Sequence, residues 1–166
     1  SPEGTPYLPH AEGGFATPSS RCEFHPELLD YVPPLESRHG GPSGERTFPL
    51  ELVSAKSERG LNSTFGYRKE VNDACGVVSL NPLDAEARNI AEGAPVRVFN
   101  HRGSVTLTAR IDTALKAGVI SVPSVGWPSG AADSRGINVL TNDALSDMGG
   151  GPVFYSCLVQ AELAGA

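Results

Sequence analysis

Long apolar runs are missing from this chain. No stretch approaches the length of a membrane span and no basic-then-apolar leader is found, so no membrane-spanning segment is expected. Cysteine is scarce as well. Cys22, Cys75 and Cys157 are odd in number, widely separated and free of any CxxC pairing. That excludes a disulfide framework or a zinc site and makes the reducing cytoplasm the expected compartment. Positive charge is short: 13 Lys and Arg face 19 Asp and Glu, a net charge of −6. Duplex nucleic acid is therefore not an expected partner, because such binding leans on many cationic phosphate contacts. Methionine is nearly absent. Met148 is the only one, which predicts that the chain is a trimmed or partial piece of something longer.

Glycine (19) and proline (14) are plentiful among 166 residues, a balance that favours a turn-rich β protein over a helical bundle. Residues 1–47 read as an N-terminal arm. "SPEGTPYLPHAEGGFATPSS" and "YVPPLESRHGGPSGER" are rich in Pro, Gly and Ser, and "RCEFHPELLDY" between them offers one strand-like step and one short helical turn. The pattern changes at Phe48, and residues 48–166 read as the domain. "FPLELVSAK", "GVVSL", "APVRVFN", "SVTLTARID", "GVISVP" and "PVFYSCLVQAEL" are strand-like, with "NHRG" as a hairpin turn between the third and fourth. Val105, Leu107, Ala109 and Ile111 alternate with Ser104, Thr106, Thr108 and Arg110, the period of a half-buried strand. "NPLDAEARNIAEG" opens a short helix with Asn81 as cap, Pro82 in the first position and Asp84 in the first turn. About six strands with one short helix predict a small closed barrel. Residues 54–72 and 123–152 interrupt it as long polar loops, which points to function.

Four segments carry a resemblance when taken together: "GFATPSSRCEF", "LVSAKSERGLNST", "SLNPLDAEARNIAEGAPVRVFNHRGSVTLTARI" and "NVLTNDALSDMGGGPVFYSCLV". In this order and spacing they resemble the C-terminal region of molybdopterin-dependent oxidoreductases of the formate dehydrogenase, nitrate reductase and DMSO reductase type. Ser20 and Arg21 stand where that pattern has Gly and Lys. The resemblance spans nearly all of residues 14–162. It implies a mainly β fold, a six-stranded double-psi β-barrel with short helices and the N-terminal arm. It also implies binding of molybdopterin guanine dinucleotide carrying molybdenum or tungsten. The metal's protein ligand, any iron–sulfur cluster and the substrate funnel would lie in remaining domains of a parent oxidoreductase, so catalysis by this chain alone is not expected.

By that resemblance the first cofactor loop spans Ser54, Ala55, Lys56, Ser57, Asn62 and Ser63, and the second runs from Asn138 to Tyr155. The residue types suit such a ligand. Asn62 and Asn138 each offer a donor and an acceptor to the edge of a pterin or guanine. Serine hydroxyls, loop N–H groups and the Lys56 charge suit a diphosphate. Bland roles stand beside these: a solvated strand end for Lys56, a turn or helix cap for Asn138, rim packing for Tyr155 and a barrel-end cap for Trp127, which otherwise would lie over the pterin. Arg59 and His101 read as exposed, Asp143 as a cap or guanine acceptor, and the Asp143–Asp147 pair lacks a partner for catalysis. "MGGGP" lacks the lysine and hydroxyl of a P-loop. Two other readings remain at this point. One is a stand-alone cofactor-binding or assembly subunit of a larger enzyme. The other is a self-processing small barrel enzyme, disfavoured because "GGPSGER" has no Gly-Ser step.

Overall fold

A computed structural model describes residues 4, 7–24, 30–41, 46–57, 60–124, 126–131, 133–146 and 149–165. Arg59, Asp147, Met148 and the helical turn expected over "HPELL" lie outside these residues. The chain forms two compact units, Ser1–Tyr31 and Val32–Ala166.

In the first unit His10 stacks on Phe15 with ring centroids 4.4 Å apart. Thr17 Oγ1 donates to Arg21 O at 2.7 Å, and Glu23 accepts from the Ser19 N–H at 3.2 Å and from the Ser19 hydroxyl. Ser20 holds φ at +56° inside this turn. That is the left-handed region that glycine enters without strain, and it explains why a glycine is at home where this chain has Ser20.

In the second unit six strands close a barrel in the order β1-β5-β2-β4-β3-β6. They are β1 (Leu50–Val53), β2 (Val77–Leu80), β3 (Pro95–Phe99), β4 (Ser104–Ile111), β5 (Val119–Ser121) and β6 (Leu158–Leu163). Two neighbouring pairs are parallel, β1 with β5 and β2 with β4, and the other four are antiparallel. The fold is a double-psi β-barrel. Alternation supplies its core: Leu50 and Leu52, Val78 and Leu80, Val96 and Val98, Val105 and Ala109, Ile120 and Val122, Val159 and Ala161 all point inward and are buried. Each large side chain in that set contributes about 1.5–3 kcal/mol on burial.

Two short helices decorate the barrel, α1 (Lys69–Ala74) and α2 (Pro82–Glu86). Helix α2 starts as its sequence predicts, with Asn81 Oδ1 accepting from Leu83 N at 2.9 Å and Pro82 in the first turn. It stops earlier than expected, because Asn89 takes φ +55° before Gly93 is reached. Asp84 also does more than meet the helix dipole: its Oδ2 accepts from Gly118 N at 2.7 Å. Helix α1 begins inside the loop expected over 54–72 and runs two residues past it. It has no side-chain cap and buries only Val71, so its sequence carries almost no helical signal. The last strand starts at Leu158 rather than Pro152. Pro152 instead forms an isolated bridge with Leu145, and Phe154 and Tyr155 lie in a turn.

Residues 32–41 are tied onto this barrel by charged side chains. Arg38 gives its backbone N–H and guanidinium to Glu51 of β1 at 2.7–2.8 Å. Arg46 fans over the carbonyls of Ser37, Arg38 and Gly40. Gly40 is needed there, since a Cβ would lie 1.8 Å from Pro34 O. No described helix is long and apolar enough to cross a membrane.

Candidate functional site

The parallel ladder of β1 and β5 does not stop at the strand ends. Val122 N donates to Val53 O at 3.0 Å and Ser124 N to Ala55 O at 2.8 Å, and Lys56 bridges Ser124. Both chains therefore leave the sheet side by side, at the same end of the barrel. The face of β1 that buries Leu50 and Leu52 continues by alternation through Ser54 to Lys56. There it meets Asn138, Thr141, Phe154 and Tyr155, and together they enclose a cleft of about 420 Å³.

Five of the residues singled out in the sequence line this cleft: Ser54, Lys56, Asn62, Asn138 and Tyr155. Leu52, Ser124, Thr141 and Phe154 complete it. Asn62 reaches it from a left-handed backbone, φ +57°, a conformation asparagine tolerates better than most residues. Asn138 sits in a 3-10 turn, Ile137–Leu140, and its carbonyl accepts from Thr141 N and Thr141 Oγ1. It caps no helix with its side chain. Phe154 and Tyr155 lie against each other with centroids 4.4 Å apart, and both are partly exposed.

The cleft is rich in uncommitted polar groups. Among the described residues, the side-chain amides of Asn62 and Asn138 and the Lys56 ammonium make no hydrogen bond or ion pair. Ser54 Oγ is buried and likewise lacks a partner. A buried hydroxyl left unpaired costs about 1–3 kcal/mol, so this atom is suited to a polar ligand atom entering the cleft.

The other four expected residues stand elsewhere. Ala55 faces away, its carbonyl held by Ser124 N. Ser57 Oγ packs against Gly60. Ser63 contributes only its carbonyl, which accepts from Trp127 Nε1 at 2.8 Å. Trp127 does not line the cleft. Its indole packs on Gly66 and lines two separate cavities beside Asn72, whose Oδ1 accepts from Trp127 N. It acts as a staple between the two loops. Asp143 is exposed, and Asn142 rather than Asp143 makes the local turn bond, to Ala144 N at 3.1 Å.

Leu52, Ser124 and Thr141 were missed as lining residues. Thr141 had a signal in "NVLT". Ser124 had none, because only the continued β1–β5 ladder brings it in. Among the described residues no cluster of three or more His, Cys, Asp or Glu side chains is arranged to hold a metal.

The neck of the second wall is held by a network from outside it. Leu140 O accepts from Asn100 Nδ2 and Arg102 Nε, each at 2.8 Å, and from Cys157 Sγ at 3.1 Å. Arg102 forks onto Glu36 at 2.5 and 2.6 Å, and Glu36 Oε2 also accepts from Leu158 N at 3.2 Å. Burial pushes the Glu36 carboxyl up, but the Arg102 fork and the Leu158 N–H outweigh it and hold the group below its ordinary range. Burial pushes the Cys157 thiol up, so it stays a donor.

A closed double-psi barrel with a polar cleft at the ends of two parallel strands defines a ligand-binding module. The chain belongs to the family described as "Molydopterin dinucleotide binding domain", whose model matches residues 50–158. It is 34% identical to the probable oxidoreductase YoaE of Bacillus subtilis over 90% of this chain and 22% of that protein. It is 33% identical to the dimethyl sulfoxide reductase DmsA of Escherichia coli over 80% of this chain and 17% of that protein. The acetylene hydratase of Pelobacter acetylenicus has a similar fold, with TM-score 0.70 and 22% identity over 95% of this chain and 25% of that one. The chain thus spans about a fifth of the length of the curated relatives it matches. The family's ligand is a molybdopterin dinucleotide, and the cleft's donor set fits one. It offers a cation for phosphate, two carboxamides for a heterocycle edge, and hydroxyls and rings beside them.

Proposed function

We propose that this chain is the cofactor-binding portion of a molybdenum- or tungsten-dependent oxidoreductase, and that the 420 Å³ cleft grips part of a molybdopterin guanine dinucleotide. Lys56 faces a phosphate, Asn62 and Asn138 read the heterocycle edge, Ser54 takes a polar ligand atom, and Tyr155 stacks or donates. When bound, the cofactor and its metal supply the redox chemistry. The chain's own residues bind, orient and exclude water, and none is assigned a catalytic role.

The observation that carries this reading is the meeting of Ser54, Lys56 and Asn138 in one cleft although the first loop and the last are far apart in sequence. The oxidoreductase names of the relatives and their greater length support the remaining domains of a parent enzyme as partners. The free thiols of Cys22, Cys75 and Cys157 support a cytoplasmic setting.

In the oxidoreductase carrying this domain, Asn138→Ala lowers the amount of molybdopterin guanine dinucleotide released and measured by fluorimetry. The barrel's melting temperature stays as in the wild type, because the Asn138 side chain makes no described hydrogen bond. Wild-type pterin content in that variant would remove Asn138 from the site.

A further inference from the structure

We propose that Glu36 and Arg102 are positioning residues for the dinucleotide cleft, so that the segment 32–41 sets how firmly its second wall is held. This rests on the cleft being the dinucleotide site. The segment from Thr141 to Ser156 leaves the barrel at Leu140 and returns at Cys157, and residues at both of its flanks line the cleft: Asn138 and Thr141 before, Phe154 and Tyr155 after. The segment ties its own two arms through Asn142 Nδ2 to Ser156 O at 2.6 Å, Val153 N to Ala144 O at 3.0 Å and Cys157 Sγ to Leu140 O at 3.1 Å, and groups of other elements join its ends further.

Asn100 is a buried polar member of the network around Leu140 O. Its Nδ2 reaches Leu140 O on the outgoing chain and Leu158 O on the returning one, at 2.8 and 3.2 Å. Arg102 holds Leu140 O from the same turn, and its guanidinium is fixed by Glu36. Glu36 in turn accepts from Leu158 N. The fork therefore bonds both ends of the neck: Arg102 grips the chain as it leaves and Glu36 grips it as it returns. Neither side chain lines the cleft. Their geometry can reach a ligand only by setting the spacing between Asn138 and Tyr155. A charged fork is suited to this because both partners are planar and bidentate, which fixes angle as well as distance.

The test measures guanosine diphosphate binding by calorimetry and amide hydrogen exchange on the full chain, with Glu36→Gln, Arg102→Lys, their double variant and Asn138→Ala. Amides between residues 141 and 158 exchange faster in Glu36→Gln and Arg102→Lys, while those of β2, β3 and β4 keep their protection. The Kd for guanosine diphosphate rises about tenfold in each, and the double variant is no weaker than the single ones, as groups acting through one device require. Should Arg102→Lys fail to fold, Glu36→Gln is the variant read, since it keeps size and removes only charge. Unchanged exchange in the second wall overturns the proposal, and so does faster exchange with unchanged affinity, which would leave the fork a purely structural clamp. If Asn138→Ala weakens binding and the fork variants do not, only the positioning role falls. If the wild-type chain does not bind guanosine diphosphate, or Asn138→Ala binds as the wild type does, the cleft assignment itself falls and takes this proposal with it.

Discussion

On one side of the cleft the chain after β1 is fixed by backbone. Its carbonyls at Val53 and Ala55 are tied to Val122 and Ser124, so Ser54 and Lys56 are aimed by the pleat of the sheet itself. On the other side the described residues between Leu140 and Cys157 pair with no strand of the barrel, and their neck is held by Asn100, Arg102, Glu36 and Cys157. A wall made of ladder bonds tolerates side-chain changes, because each N–H···O bond is independent of residue type. A wall held by a few side chains is open to mutation and to pH. The contrast suits a large ligand: one rigid edge sets the register, and one adjustable edge closes on it.

The largest expected effect comes from cutting the side-chain wall at its centre. Arg102→Ala removes a donor from Leu140 O and leaves the Glu36 carboxylate without its fork. The two side chains are only 21% and 24% exposed. A loss of about 2 kcal/mol follows, or roughly 4–8 °C in melting temperature. Scanning calorimetry checks it, and a drop below 1 °C would mean the second wall does not need its clamp.

The backbone wall is attacked next through its contact with Trp127. A Cβ on Gly66 would lie 2.0 Å from Trp127 Cδ1, so Gly66→Ala must displace the indole or the loop. The cost is about 1–2 kcal/mol. Trp127 is the only tryptophan, so its emission reports the movement directly. Exchange should quicken over residues 60–66 and stay unchanged over 141–157, keeping the two walls separable.

Acid divides the walls more gently. Glu36 and Glu51 each feel burial pushing their carboxyls up, outweighed by the hydrogen bonds and charge of Arg102 and Arg38 respectively, and both end below the ordinary 4.5. A carboxyl depressed in the folded state contributes stability that is fully present above its unfolded pKa and is lost as pH falls through the folded one. Stability is therefore flat near neutrality and falls below pH 4.5, by about 1 kcal/mol in all for two half-buried pairs, which a melting series across pH reads. Glu36→Gln and Glu51→Gln each flatten part of that acid limb. Only Glu36→Gln should also loosen the second wall.

What the sequence disclosed follows the same division. Short apolar runs between turn residues made the barrel strands visible, and alternation marked β4 most clearly, where Val105 and Ala109 must point one way. The capping residues Asn81 and Pro82 marked α2 for a similar local reason. The parallel pairing of β1 with β5 has no local signature, and only the family resemblance implied the topology. Loop residue types pointed to Ser54, Lys56, Asn62, Asn138 and Tyr155, but adjacency in sequence also drew in Ala55, Ser57 and Ser63. Alternation turns Ala55 away, Ser57 Oγ packs against Gly60, and Ser63 meets Trp127 through its carbonyl. The Glu36–Arg102 fork joins residues 66 positions apart in charged, unpatterned stretches, so nothing local could announce it. "PVFYSC" is apolar enough to imitate a strand, but Phe154 and Tyr155 lie in a turn at the cleft.

The smallest effect separates charge from position on the rigid wall itself. Lys56 is exposed and paired with no described residue, while its backbone is held by the bridge to Ser124. Lys56→Met keeps the bridge and the length of the side chain and removes only the ammonium. If Lys56 faces a phosphate, guanosine diphosphate binding weakens about two- to threefold at low salt, as an exposed charge pair allows. Wild-type affinity falls as salt rises, because counter-ions screen the pair, and the variant's affinity falls less. The two titrations then converge at high ionic strength. Parallel titrations would mean that Lys56 contributes packing alone, and the phosphate would have to be sought against the Asn62 side of the loop.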